Sequence, residues 1–432
     1  MRLEILSMAY GGDGVARLED GRTAFVSATC PGDVVEADIV SDHGSFVRAR
    51  ITGLQEPSPD RVEPPCPYFG TCGGCQWQHI DATVQRAAKT AAVADALQRI
   101  GRIPRVAVSE CSAASESYGY RNKAEFLTTS KRGALELGFA EAASSNLVDI
   151  DDCLLLPKRA RAIPRALRGA LKYVSGSQDL GIRRVSLRVA THTRGLQIAL
   201  WTTPGPFPRK AAAKTLADAT GADSVVRVLF KGEEAARQVV QVEVLGGLPW
   251  WSERLRGTRH VVSAPSFFQV NTTAAEELVS RVVATAGLRP SDRVFDVYAG
   301  VGTFTVPLAR EAGDVIAIES SRYALSDLRR NLDDSDTAAE VLPGDAAIVV
   351  AQAGSADVVL VDPPRAGLEG RTLEAIASAS PSRLVYVSCD PTTLARDAAS
   401  LSGDGYELES VQPLDLFPQT YHVECVALFR RD

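Results

Sequence analysis

The stretch FDVYAGVGTFTVPLA, residues 295–309, runs from an apolar segment through a glycine-bearing turn into a helix-like one. Gly300 and Gly302 stand at the join, where glycine lets the backbone pass close to a ligand and the first helical N–H groups are free to bind it. Many sheets carry such a turn, so its meaning comes from its surroundings. From about Arg281 strand-like runs alternate with helix-like ones: Arg293–Tyr298, Asp314–Glu319, Asp357–Asp362 and Arg383–Ser388, each followed by a helical pattern. That alternation predicts a Rossmann-like, doubly wound α/β domain, which binds ligands at the carboxyl ends of its strands.

The second of these strands ends in Glu319, twenty-three residues after Asp296, where an acid can accept hydrogen bonds from both ribose hydroxyls of an adenosine cofactor. A dinucleotide fingerprint needs a third glycine where Thr305 stands, so a nucleoside cofactor without a pyrophosphate, such as S-adenosylmethionine, suits the turn better than NAD. The third strand delivers VDPPRAG with Asp362, and the fourth ends in VSCDPTTLARD with Cys389. Prolines after Asp362 make a rigid turn suited to lying against a flat base. Cys389 precedes a helix start, a setting that favours the thiolate and hence a nucleophile. As a small apolar filler it would sit oddly among Ser388, Asp390 and Pro391. Near the end, LDLFPQTYHVECVALF offers His422 and Glu424, either of which could act as a base or lie on the surface.

Working back toward the start, the chain opens with short alternating runs at Glu4–Ala9, Gly14–Arg17, Thr23–Val26, Val34–Val40 and Phe46–Leu54, separated by glycine-rich turns. Five such strands predict a small OB-like β-barrel over residues 1–54. A linker at Glu56–Pro65 and a helix over Asp81–Ile100 follow; strands at Val185–Ala190, Leu196–Trp201, Val225–Phe230 and Gln238–Val244 and a basic helical stretch at Pro157–Tyr173 make residues 55–260 a central α+β region. The α/β domain occupies 261–432.

Eight cysteines without a secretory signal point to a metal or to catalysis before disulfides. Cys66, Cys72 and Cys75 form a C-x5-C-x2-C run among prolines and glycines, and Cys153 is the natural fourth ligand, since iron–sulfur clusters and structural zinc usually take four. The spacing is neither that of a zinc ribbon nor of radical enzymes, so a [4Fe–4S] cluster is expected over a set of merely buried thiols. The net charge of −6 hides strong segregation: residues 81–260 carry 28 basic and 17 acidic side chains, residues 261–432 carry 13 and 25. Lys158–Arg194 holds ten Lys or Arg and one acid, Asp179, which suggests a polyanion site as readily as a solvated face. No run approaches the ~18 apolar residues of a membrane span, so a cytoplasmic protein with no membrane partner is expected.

GGDGVAR, GYRNKAEF (119–126), SFFQVN (266–271), DVYAGVGTF, VDPPRAG, VSCDPTTLARD and FPQTYHVE together resemble the TRAM-domain-containing RNA uracil-5 methyltransferases, in the family's order over nearly the whole chain. The cysteine run with Cys153 is similar to the cluster-binding pattern of the ribosomal-RNA branch. The resemblance implies that Cys389 is the nucleophile and Glu424 the base, and that Gln269, Tyr298, Gly300, Gly302, Glu319, Asp362 and, near the adenine, Asp345 contact S-adenosylmethionine. It implies RNA as substrate, 23S ribosomal RNA before transfer RNA, and a monomer. Arg121 and Lys123 in GYRNKAEF, with Lys158, Arg159, Arg161, Arg165 and Arg168, are the expected RNA contacts. Two positions depart from the family: Ala299 where members often have Cys, and Gln419 where many have His. Two other readings compete. A non-catalytic RNA-binding iron–sulfur protein would lack a nucleophile and base, and an exocyclic-amine methyltransferase would carry an aromatic residue where Arg365 stands.

Overall fold

The computed structural model describes residues 1–131, 134–142, 144, 146–232 and 238–431; Asp432, the end of the expected third domain, lies outside them. The chain gathers into two compact units. One consists of Met1–Ser117, Pro363–Leu368 and Tyr386–Arg431, the other of Tyr118–Asp362 and Glu369–Val385.

The first unit opens with a six-stranded sheet in the order Arg2–Glu4, Val34–Asp42, Phe46–Glu56, Thr23–Ser27, Gly14–Arg17, Ser7–Met8. The run expected as one strand at Glu4–Ala9 is two, because the chain changes partner there. Ile5 N–H donates to Asp33 O at 2.9 Å and Leu6 N–H to Val15 O at 2.8 Å. Alternation along the strands sends Leu3, Val26, Val35 and Val47 into one buried cluster. The helix Ala82–Arg99 follows, capped where Asp81 accepts from Thr83 N–H at 2.8 Å. Its buried Gln85, Lys89, Val93 and Ala96 recur at helical spacing and form one face. Burial lowers the proton affinity of Lys89, while the buried Asp415, 2.5 Å from its Nζ, opposes that shift. The unit ends with the helix Pro391–Gly403 and the strand Glu407–Leu414, which pairs antiparallel with Glu424–Arg430 and parallel with Ala107–Val108.

The second unit contains a seven-stranded sheet in the order Leu147–Asp149, Ala134–Ala140, Lys123–Lys131, Ile182–Val189, Leu196–Thr202, Ser224–Lys231, Gln238–Gly247. The four strands expected between 185 and 244 are the last four of these. The basic stretch starts as a 3-10 turn at Lys158–Ala160 and becomes a helix at Ile163–Ser175, with Pro164 in its first turn where a missing N–H costs nothing. Four parallel strands complete the unit in the order Glu340–Pro343, Asp314–Glu319, Arg293–Val297, Val358–Val361. Glu340–Pro343 went unread because it has four residues, none of them fully buried. Arg383–Ser388 begins in the second unit and ends in the first. Among the described residues no helix is long and apolar enough to cross a membrane.

Candidate active site

In the second unit the strand Arg293–Val297 stops at Tyr298, whose backbone turns into the left-handed region at φ 67°. Gly300 and Gly302 follow at φ 57° and 88°. A Cβ on Gly302 would lie 2.7 Å from Leu328 Cδ1, so this turn requires glycine on two counts. Gly300 N–H donates to Glu319 Oε2 at 2.9 Å, and the N–H groups of Ser320 and Ser321 donate to Oε1 at 2.8 and 2.7 Å. Three backbone donors thus hold the Glu319 carboxylate against the turn. Asp362 joins the same strand ends, its N–H 3.3 Å from Val297 O.

Asp296, read from the sequence only as a strand residue, is buried here; Thr305 Oγ1 donates to its Oδ2 at 2.5 Å, and its Oδ1 has no partner. Burial pushes the Asp296 carboxyl up to about 7. Asp362 is raised as well, by burial and then by Asp296. An unpartnered buried acceptor beside a second carboxyl suits a cationic donor, and the ammonium group of S-adenosylmethionine is one. The residues present therefore fit that cofactor. Asp345 caps the helix Ala346–Ala353 by accepting from Ala347 and Ile348 N–H. Gln269 is buried, and its backbone carbonyl accepts from Asn122 Nδ2 at 2.9 Å.

In the first unit Cys389 follows the strand Arg383–Ser388 and precedes the helix Pro391–Gly403. Asp390 caps that helix, accepting from Thr392 and Thr393 N–H at 2.8 and 3.2 Å, so its carboxylate already faces the helix dipole. Tyr10 reaches the same turn, its hydroxyl 3.3 Å from Asp390 Oδ2 and 3.4 Å from Cys389 O. Burial and the Asp390 charge push the Tyr10 phenol far up, which keeps it a donor. No pattern along the chain marks Tyr10, which lies 379 residues from Cys389. Glu424 is buried at the start of its strand. Burial raises the neighbouring Cys425 thiol well above its ordinary value, and the charges of Glu424 and Cys389 both add to the rise. Arg365 donates to His422 Nδ1 at 2.7 Å, which engages that ring nitrogen and leaves Glu424 the better candidate base.

The convergence of thiolates expected from the cysteine spacing is not found. Among the described residues no group of three or more His, Cys, Asp or Glu side chains is gathered as metal ligands. Cys66, Cys72 and Cys75 lie in an irregular segment of the first unit that precedes the helix Ala82–Arg99, where Cys72 Sγ accepts from Gly74 N–H at 3.5 Å. Cys153 belongs to the second unit, its N–H on Arg161 O at 3.3 Å.

Several expected RNA contacts have internal work. Lys123 Nζ lies 2.8 Å from Glu125 Oε1, and burial lowers it to about 8. Arg168 pairs with Asp149 and Asp151, and Arg159 donates to the Ala190 carbonyl at 2.7 Å. Arg121 Nε donates to Lys123 O at 2.9 Å, and Arg161 is half-buried with Nε lacking a partner. Lys158 and Arg165 are exposed.

Residues 1–52 match the TRAM domain, 261–385 the methyltransferase small domain and 348–432 the tRNA (Uracil-5-)-methyltransferase family. Together with the cofactor turn these define an S-adenosylmethionine-dependent RNA methyltransferase. Uncharacterized RNA methyltransferases of Gloeobacter violaceus and Thermosynechococcus vestitus are 37% and 34% identical; each alignment covers 99% of this chain, and 95% and 97% of the respective relative. The chain belongs to this RNA methyltransferase family, within the tRNA (uracil-5-)-methyltransferase group. The solved Pyrococcus abyssi tRNA (uracil-54, C5)-methyltransferase, in complex with S-adenosyl-L-homocysteine, is similar over 99% of this chain and 100% of its own, with 26% identity and a TM-score of 0.75.

Proposed function

We propose that the protein methylates carbon 5 of a uridine in RNA, with Cys389 as nucleophile and Glu424 as base. The observation that carries this reading is that Cys389, between the end of the strand Arg383–Ser388 and the start of the helix Pro391–Gly403, and the buried Glu424 belong to one unit, inside the stretch matching the uracil-5 family. Carbon 5 of uracil is a weak nucleophile until a thiolate adds to carbon 6. Cys389 Sγ forms that bond, and the electron pair of the 5,6 double bond is delocalised onto carbon 5 and the neighbouring carbonyl as an enolate. S-adenosylmethionine, when bound, supplies the methyl group as a sulfonium. Glu424 then takes the proton from carbon 5, the double bond re-forms, and Cys389 departs as thiolate. Gln269, Tyr298, Gly300, Gly302, Glu319, Asp345 and Asp362 hold the cofactor, with Asp296 added to the set.

The cysteine spacing supports 23S ribosomal RNA as substrate; the likeness to the Pyrococcus abyssi enzyme supports transfer RNA. Labelled methyl transfer to both RNAs, followed by mapping of the product, tests the reading. Label on carbon 5 of a single uridine is expected, and label on an adenine amino group overturns it. Lys158 and Arg165 serve RNA phosphates, and the working form is a cytoplasmic monomer organised as regions 1–54, 55–260 and 261–432. A [4Fe–4S] cluster on Cys66, Cys72, Cys75 and Cys153 rests on spacing alone, and no step runs through it. Anaerobically purified protein should contain iron and absorb visible light, with loss of both in Cys72→Ser; iron-free, fully active protein sinks the cluster.

A pH dependence follows from the raised carboxyls. A folded-state carboxyl raised above its ordinary value stabilises the empty protein at low pH, and this contribution is lost as pH rises toward about 7. A bound ammonium favours the ionised form, so cofactor affinity should rise with pH through about 7, with proton release on binding. Calorimetry in buffers of different ionisation heat reads this directly. Asp296→Asn should weaken binding and flatten the profile; an unchanged profile removes Asp296 from the site.

A further inference from the structure

Gln419 is a non-glycine residue at φ 72°, buried, five positions before Glu424. A left-handed conformation is unfavourable for a residue with a Cβ and persists only where surrounding contacts over-determine it. Those contacts come from the helix Ala82–Arg99 and the segment just before it. Gln85 Oε1 accepts from Gln419 N–H at 3.0 Å, and Gln85 Nε2 donates to Gln419 Oε1 at 3.1 Å. The Gln419 carbonyl accepts from Gln76 and Trp77 N–H, both at 3.0 Å. Gln85 Nε2 also lies 2.9 Å from the carbonyls of Trp77 and Ile80, which ties it to the end of the cysteine loop. One helical turn on, Lys89 Nζ donates to Phe417 O at 3.2 Å. Backbone and side chain of residue 419 are therefore both gripped, and the two Nε2 protons of Gln85 are shared among three acceptors.

We propose that Gln85 and Gln419 form a positioning pair that holds the segment Phe417–Glu424 so that Glu424 can reach the carbon-5 proton. Neither residue touches the reacting atoms; they act through Glu424, and the proposal rests on its assignment as base. Gln419 meets the Gln85 amide on both sides, its backbone N–H donating to Oε1 and its own side-chain Oε1 accepting from Nε2. Loosening the pair should leave addition of Cys389 and methylation intact and slow the last step, because only proton removal requires Glu424 in place.

The test uses Gln419→Ala, which keeps the backbone bonds and removes the side-chain link, beside Gln85→Glu, which retains an acceptor for Gln419 N–H. Quenched-flow samples on whichever transcript, 23S ribosomal or transfer RNA, accepts methyl label are resolved on denaturing gels. Gln419→Ala should form the covalent RNA adduct at the wild-type rate and release it about tenfold more slowly, equal to ~1.4 kcal/mol on the barrier. Gln85→Glu, which turns a carboxylate oxygen toward three acceptors, should slow release at least as much as Gln419→Ala. A purely structural role would instead lower adduct formation and release together. Release at the wild-type rate in Gln419→Ala overturns the pairing whatever Glu424 does. Slow release in Gln419→Ala without adduct accumulation in Glu424→Gln keeps the positioning role and shows that the base has been wrongly assigned.

Discussion

Replacing Cys389 with alanine should abolish methyl transfer, with a loss of at least ~10³-fold, and with it any covalent complex with RNA containing 5-fluorouridine. Fluorine at carbon 5 cannot leave as a proton, so the wild-type enzyme should stop as a stable adduct on such RNA. On ordinary uridine it should release its product. The substitution removes only the Sγ atom from a half-buried position, and the Asp390 cap on the next helix stays, so the variant should fold and bind cofactor with wild-type affinity. Methylation by Cys389→Ala, or an adduct surviving in it, would move the nucleophile elsewhere.

Glu424→Gln should have the opposite signature. Addition and methyl transfer proceed, proton removal stalls, and a covalent enzyme–RNA species accumulates on unmodified RNA, with turnover reduced ~10²–10⁴-fold. Gln keeps the shape and hydrogen-bonding reach of the buried side chain while removing its basicity. Turnover at the wild-type rate would exclude Glu424 as base and return attention to His422, despite the guanidinium of Arg365 against its ring.

What the sequence disclosed and what it hid divide along one physical line. Gly300 and Gly302 were legible because a left-handed backbone leaves a mark in residue type, and Glu319 because an acid at a strand end has few other reasons to be there. The parallel strands were legible as apolar runs. The break in the first strand was not, since a change of hydrogen-bond partner at Ile5 and Leu6 alters no side-chain pattern. Charge was visible but its partner was not: Lys123 and Arg168 looked available for phosphate and are bound to Glu125, Asp149 and Asp151. Tyr10 and Asp296 were missed for the same reason, because their significance lies in contacts and burial that only folding creates.

Lys89 and Asp415 are joined in the interior although 326 residues separate them along the chain. During synthesis the ammonium-bearing helix leaves the ribosome long before its carboxylate exists. At ~5–20 residues per second the wait is roughly 15–65 s. Through that interval Lys89 lacks its carboxylate, and burying its cation alone would be unfavourable by several kcal/mol. The unit that carries Cys389 is thus begun first and finished last. A nascent chain halted before Asp415 leaves that ammonium without its partner, so premature termination in the final strands should yield degraded protein rather than a stable, inactive enzyme.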